Sequence, residues 1–188
     1  MIVLNGGSSS GKSSIARALQ ELLPEPWLHL GADTLVGALP PALLDGGEGI
    51  GGLAGGDGTV EVGPAFAELD AAWTAGVAAM ARAGARIVVD EVFLGTTASQ
   101  ARWRAALAGL EVLWVGVRCE PAVAAAREAA RGDRVAGMAA AQAEAVHRGV
   151  EYDLVVDSSR TSAAECARAV AARVAAVRAA YARAASGG

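Results

Sequence analysis

The chain has 188 residues, 53% of them hydrophobic and 19% charged, which fits a folded globular protein and excludes a disordered one. A formal net charge of −4, with no basic run longer than two neighbouring arginines, excludes the electrostatic footprint of a nucleic-acid binder. No apolar run approaches the ~20 residues of a membrane span and no leader pattern precedes the first apolar run, so a cytoplasmic protein without a membrane partner is expected. Cys119 and Cys166 match no metal or redox spacing and read as two free thiols.

In chain order, residues 1–4 are a short apolar run with the look of a buried strand. Residues 13–23 carry apolar side chains at helical spacing, and Pro24-Glu25-Pro26 stops that helix. A second strand is expected at 27–31. Asp33-Thr34 opens a short segment closed by Pro40-Pro41. Residues 41–63 are rich in glycine and read as a mobile loop with a small hairpin through 59–62; what precedes them is too short for a domain of its own. Pro64 begins a long amphipathic helix ending at Gly84. A third strand follows at 86–90, a helix at 97–107, and a fourth strand at 112–117 that is apolar on both faces. A helix from Pro121 runs toward Arg131, breaks at Gly132-Asp133-Arg134 and resumes at 138–147. A fifth strand at 152–157 and an alanine-rich helix at 162–184 close the chain, with 186–188 a frayed tail. Alternating strands and helices predict an α/β fold in one domain over 1–188: a three-layer, five-stranded parallel sheet with helices on both faces.

The first turn carries the chemistry. Gly6, Gly7, Ser8, Ser9, Ser10, Gly11, Lys12 and Ser13 fit G-x-x-x-x-G-K-[ST], between a strand and a helix. Glycines let the backbone bend so that successive N–H groups face a phosphate, and the helix N-terminus adds its positive dipole end. Lys12 would reach the outer phosphates of ATP and Ser13 would ligate Mg²⁺. Of the 16 basic residues Lys12 is the only lysine, standing in the one slot that favours a compact ammonium over a planar guanidinium. A chance match in a glycine-rich chain is the competing explanation.

Asp90 ends an apolar strand, where a carboxylate can hold Mg²⁺ opposite Ser13; its neighbour Glu91 would orient substrate. Asp33 follows the second strand, and active sites of parallel sheets form outside the carboxyl ends of strands. It is either a base for an acceptor hydroxyl or the N-cap of the next helix. Arg127, Arg131 and Arg134 share one helical face, which suits a lid over phosphates spanning 127–138, or a solvated face paired with Glu128 or Asp133. Phe93 and Leu94, just after the third strand, are candidates for an acceptor wall. His29 and His147 match no partner.

With these residues in place the chain resembles the chloramphenicol phosphotransferase family. The resemblance is carried by Leu4-Asn5-Gly6-Gly7-Ser8-Ser9 through Gly11-Lys12-Ser13, by Gly31-Ala32-Asp33 and Val92-Phe93-Leu94-Gly95, and most specifically by Leu113-Trp114-Val115-Gly116-Val117-Arg118-Cys119 and Arg131-Gly132-Asp133-Arg134-Val135-Ala136-Gly137-Met138. It implies a fold like the nucleoside monophosphate kinases and an ATP-dependent transfer to a primary hydroxyl of chloramphenicol, disabling the antibiotic. It also implies Asp33 as general base and Arg131 and Arg134 in a phosphate-handling lid. The alternatives are a kinase of the same fold acting on another hydroxyl, such as a nucleotide sugar in a toxin-like system, and a nucleotide-dependent ATPase switch with no acceptor.

Overall fold

The structure, a computed structural model, describes residues 1–52, 60–131 and 137–186. Five short strands make one parallel sheet: β1 (Ile2–Asn5), β2 (Leu28–Gly31), β5 (Ile87–Glu91), β6 (Leu113–Arg118) and β7 (Leu154–Asp157), in the order β2-β5-β1-β6-β7. Each is followed by a helix: α1 (Lys12–Leu22), α2 (Ala32–Ala38), α4 (Thr97–Ala106), α5 (Pro121–Arg131) and α7 (Ala163–Ser186). α3 (Pro64–Arg82) leads into β5 and α6 (Met138–Ala145) into β7. Ser186, expected in the tail, is the last helical residue.

Alternation along each strand builds two cores. Ile2, Leu4, Val88, Val115 and Val117 point to the face covered by α1 and α7, where Ile15, Leu19, Ala167 and Val170 bury against them. Val3, Ile87, Val89 and Trp114 point to the other face, under Val77 of α3 and Trp103 of α4. These strands are apolar on both faces because helices cover both sides. None of the described helices is long and apolar enough to cross a membrane.

The described parts of the glycine-rich stretch, 41–52 and 60–63, include regular structure. A single turn at Pro41–Leu43 leads to a two-residue strand, β3 (Ile50–Gly51), paired antiparallel with β4 (Glu61–Val62). Ile50 is buried, and the Phe66 N–H donates to the Glu48 carbonyl at 3.1 Å, tying the hairpin to the first turn of α3. Gly63 is required there, because a Cβ would collide with the Gly47 carbonyl oxygen.

The sheet fixes where the site lies. β1 is central, and the chain leaves it toward β2 on one side and β6 on the other, a switch point of the kind where ligands bind. Leu4 pairs with Asp90, Asn5 with Glu91 and Gly31 with Asp90, so the segments after β1, β2 and β5 emerge together.

Candidate active site

The loop after β1 is a left-handed turn held from behind. Ser9 (φ 56°) and Gly11 (φ 88°) both adopt positive φ, Gly11 as the N-cap of α1. A non-glycine residue in that region is strained and marks a site whose geometry is enforced by its surroundings. Gly6 has no room for a side chain, since a Cβ would sit 2.6 Å from the Val117 carbonyl oxygen. Lys12, buried, donates from Nζ to the carbonyls of Gly6 and Gly7, both at 2.8 Å. The Ser8 N–H donates to Oε1 of Gln142 on α6 at 2.9 Å, and the Ser158 hydroxyl donates to the Ser10 carbonyl at 2.7 Å. The hydroxyl oxygens of Ser9 and Ser10 are buried with no hydrogen-bond partner, as expected of a cradle built for an oxyanion.

Beside the loop, the Ser13 hydroxyl donates to Oδ2 of Asp90 at 2.6 Å, and His29 Nε2 lies 3.2 Å from the same oxygen. Burial pushes the Asp90 pKa up, but hydrogen bonds from His29 and Ser13 and the charge of Lys12 outweigh it and hold the pKa below the ordinary value. Asp90 therefore stays ionised where its negative charge is needed. Gly31 is obligatory beside it, because a Cβ would run into the Asp90 carboxylate. His29 thus has a partner after all, which the pairing of β2 with β5 decides and local sequence cannot show.

Lys12, Ser13 and Asp90 line a cleft of ≈ 400 Å³, together with Asp33, Glu91, Leu94 and Arg131. Asp33 is exposed in the first turn of α2; the N-cap is Gly31, so the capping alternative falls away. Glu91 is 8% exposed, and burial, then the charges of Asp70 and Asp90, push its pKa up to about 8. Asp70 of α3 pairs with Arg102 of α4 at 2.6 Å in the same wall; burial raises the Asp70 pKa and the Arg102 charge offsets only part of that. Apolar side chains complete this side: Leu35, Ile50, Val62 and Phe66.

Two expected members lie elsewhere. Phe93 is 1% exposed and packs against Trp114 with ring centroids 6.4 Å apart, so it belongs to the core and not to the acceptor wall; only Leu94 reaches the cleft. Strand β5 runs one residue further than its apolar pattern, to Glu91, and the turn after it swings Phe93 inward, where its N–H donates to Asn5 Oδ1 at 2.9 Å. Arg127 does not line the cleft: its guanidinium donates to the Ser158 carbonyl at 2.7 Å and reaches the Cys119 sulfur at 3.5 Å, behind Gly11. Arg134 lies outside the described residues.

Several residues escaped the sequence reading. Glu128, 3% exposed on α5, accepts the N–H groups of Gly137 and Ala139, both at 2.8 Å; it joins the end of α5 to the start of α6 and is not part of a solvated arginine-paired face. Asn5 reaches the Val146 carbonyl at 2.9 Å and the Tyr152 hydroxyl at 2.6 Å, and Tyr152 in turn meets His147 Nδ1 at 2.6 Å. Gly116 makes space for that tyrosine ring. Burial, then Arg118 and Lys12, push the His147 pKa down to about 4, so this buried histidine is neutral. A polar residue closing an apolar strand was the available signal for Asn5; nothing local marks Gln142 or Glu128.

Fold and cradle together define a P-loop phosphotransferase. The family described as chloramphenicol phosphotransferase-like protein matches residues 1–175. Proteins from two strains of Mycobacterium tuberculosis, provisionally named O-phosphotransferases, are 34% identical over 183 residues, covering 89% of this chain and 79% of theirs. Among solved structures, shikimate kinase from Acinetobacter baumannii superposes with a TM-score of 0.59 at 15% identity over 93% of this chain and 92% of its own. The Mycobacterium tuberculosis APS kinase in complex with AMPPNP and APS gives 0.57 at 18% identity over 90% and 94%. A gluconokinase from Sinorhizobium meliloti gives 0.55 at 19% over 94% and 95%. The structural likenesses carry the fold. This chain belongs to the chloramphenicol phosphotransferase-like family, and it is a phosphotransferase with an alcohol group as acceptor.

Proposed function

We propose that the enzyme transfers the γ-phosphoryl group of ATP to a primary hydroxyl of chloramphenicol or a similar small alcohol, and that it thereby confers resistance to the antibiotic. The observation that carries this reading is the pairing of Gly31 with Asp90, which brings Asp33 into the same cleft as Ser13, Lys12 and Asp90. A phosphate cradle and an acceptor-side carboxylate then flank one space.

Within it, the loop N–H groups and Lys12 hold the β- and γ-phosphates. Asp33 accepts the acceptor proton as the hydroxyl oxygen attacks phosphorus, a contribution of about 10²–10⁴-fold. Arg131, which lines the cleft, brings positive charge to the transferring group; the same role for Arg134 is what the family resemblance implies. Arg127 supports the nucleotide side indirectly, through Ser158 and the loop it holds. Glu91 and Leu94 contact the acceptor.

Ser13 and Asp90 fit Mg²⁺. Both offer hard oxygen, they already meet through one hydrogen bond, and Asp90 is kept ionised. Among the described residues no cluster of three His, Cys, Asp or Glu side chains could hold a metal, which suits an ion that takes its remaining ligands from phosphate and water. Such an ion, held by Ser13 and Asp90, would supply charge neutralisation for the transferring phosphate.

The test is a product assay. Incubation with ATP and chloramphenicol should yield ADP and a singly phosphorylated drug by mass spectrometry, and expression should raise resistance in a sensitive host. Phosphorylated product without resistance would confine the claim to chemistry. Slow ATP hydrolysis that no alcohol stimulates would replace the transferase reading with an ATPase switch.

A further inference from the structure

Lys12, Ser13 and Arg131 serve the phosphate end of the cleft, and Asp33, Asp70, Glu91 and Arg102 are the charged groups on the acceptor side. Arg102, the single cation of that set, is engaged by Asp70 at 2.6 Å. The remaining carboxyls are Asp33 and Glu91. Among the described residues nothing hydrogen-bonds the Glu91 carboxyl, although Glu91 is more than nine-tenths buried and lines the cleft. Its oxygens open onto the cleft, so solvent there supplies the hydrogen bonds that the protein does not, and an acceptor group that displaces this solvent has to replace them.

The surroundings say what that partner is. An ionised carboxyl accepts hydrogen bonds and repels anions, and a neutral one both donates and accepts. In either form it pairs with a hydroxyl, an amide or an ammonium, and in neither is a second carboxylate or a phosphate favoured beside Asp33 and Asp70. Leu35, Ile50, Val62 and Phe66 shape the rest as an apolar slot.

We propose that Glu91 is the specificity-determining residue of the acceptor site: its carboxyl hydrogen-bonds a second polar group on the acceptor, so that the enzyme selects uncharged or cationic alcohols with an apolar body and rejects anionic ones. This deepens the alcohol-acceptor reading and rests on it. Arg102 is a positioning residue in the scheme, because it neutralises Asp70 and leaves Glu91 to face the ligand.

The experiment uses a matched set of aryl propanediols that carry, at one carbon, an amide, a primary ammonium, a methyl or a carboxylate, with kcat and KM measured for each. The wild-type protein should show KM values for the amide and ammonium members about 10-fold below that of the methyl member, the scale of one lost hydrogen bond to a charged or buried group, and the carboxylate member should be the poorest. Glu91→Gln should keep the amide and lose the ammonium preference, and Glu91→Ala should bring the amide and methyl members together. Melting temperature and ATP affinity report whether each variant is folded. Equal KM for the carboxylate and amide members in the wild type would overturn the proposal without any variant. So would variants that keep the wild-type ranking while phosphorylating the set. If ATP binds but no member is phosphorylated, the proposed chloramphenicol-like acceptor has failed and this proposal falls with it.

Discussion

In the proposed site the phosphate end of the cleft comes mainly from one contiguous stretch, 6–13, whose main-chain groups any sequence able to make the turn can present, with the Lys12 side chain and Arg131 of α5 added. The acceptor end is assembled from α2, the β3–β4 hairpin, α3, the end of β5 and α4, and works through side chains. The first is tied down by hydrogen bonds from Gln142 and Ser158, each far away in the chain. Among the described residues the second is held by the Asp70–Arg102 ion pair, by the hydrogen bond from Phe66 to the Glu48 carbonyl and by apolar packing. A backbone cradle resists change because its geometry is over-determined, whereas a side-chain wall can be altered one residue at a time. One protein can therefore keep its donor site while its acceptor varies.

The strongest way to break this division is Asp33→Asn. It should lower kcat by about 10²–10⁴-fold while leaving ATP affinity intact. A matching loss of ATP affinity, measured by calorimetry, would mean that the two ends are not separable. On the donor side, Lys12→Ala should cost about 10²–10³-fold in kcat, with a smaller loss of thermal stability. If melting temperature collapses as well, the bonds from Lys12 to Gly6 and Gly7 are the main role of this lysine.

Glu128→Ala sharpens the comparison from outside the cleft. It removes the acceptor of two N–H groups at the start of α6, and each orphaned group costs about 1–3 kcal/mol. Urea unfolding should show a loss of that size. Because α6 also carries Gln142, the KM for ATP should rise and the KM for the acceptor should not.

The smallest effect is a pH dependence of stability without ligands. Glu91 has a folded pKa of about 8, above its ordinary 4.5, so its contribution is full below pH 4.5 and is lost as pH rises to about 8. His147 has the reverse sign: its folded pKa of about 4 lies below 6.5, so stability is lost as pH falls through that interval. The two oppose each other between pH 4.5 and 6.5. From 6.5 to 8 Glu91 acts without that opposition, and melting temperature should decline. The decline should be weaker in Glu91→Gln; an unchanged slope would mean that Glu91 is ionised in the fold.

Local pattern carried much of this. The five strands, the helices between them, the P-loop and the parallel order of the sheet follow from apolar runs and turn residues that act over a few positions. Asp90 could be placed because a carboxylate ending a buried strand is visible as such. Phe93 could not, because its direction depends on the tight turn after β5 and on the Asn5 side chain that receives its N–H. The hairpin expected through 59–62 has its second strand at Ile50–Gly51, and glycine, which permits a loop and a close-packed turn equally, hid that partner.

The sequence by itself determined the cradle, because a P-loop is written in eight consecutive residues whose backbone does the binding. It also determined that Asp33 follows one strand and Asp90 ends another, both at the carboxyl ends of a parallel sheet. Only the tertiary structure decided that Gly31 pairs with Asp90, that His29 and Ser13 share its oxygen, and that Asp70, Arg102 and Glu91 meet in one wall. Those are contacts between residues tens of positions apart, set by strand order and helix packing, and no local propensity encodes them.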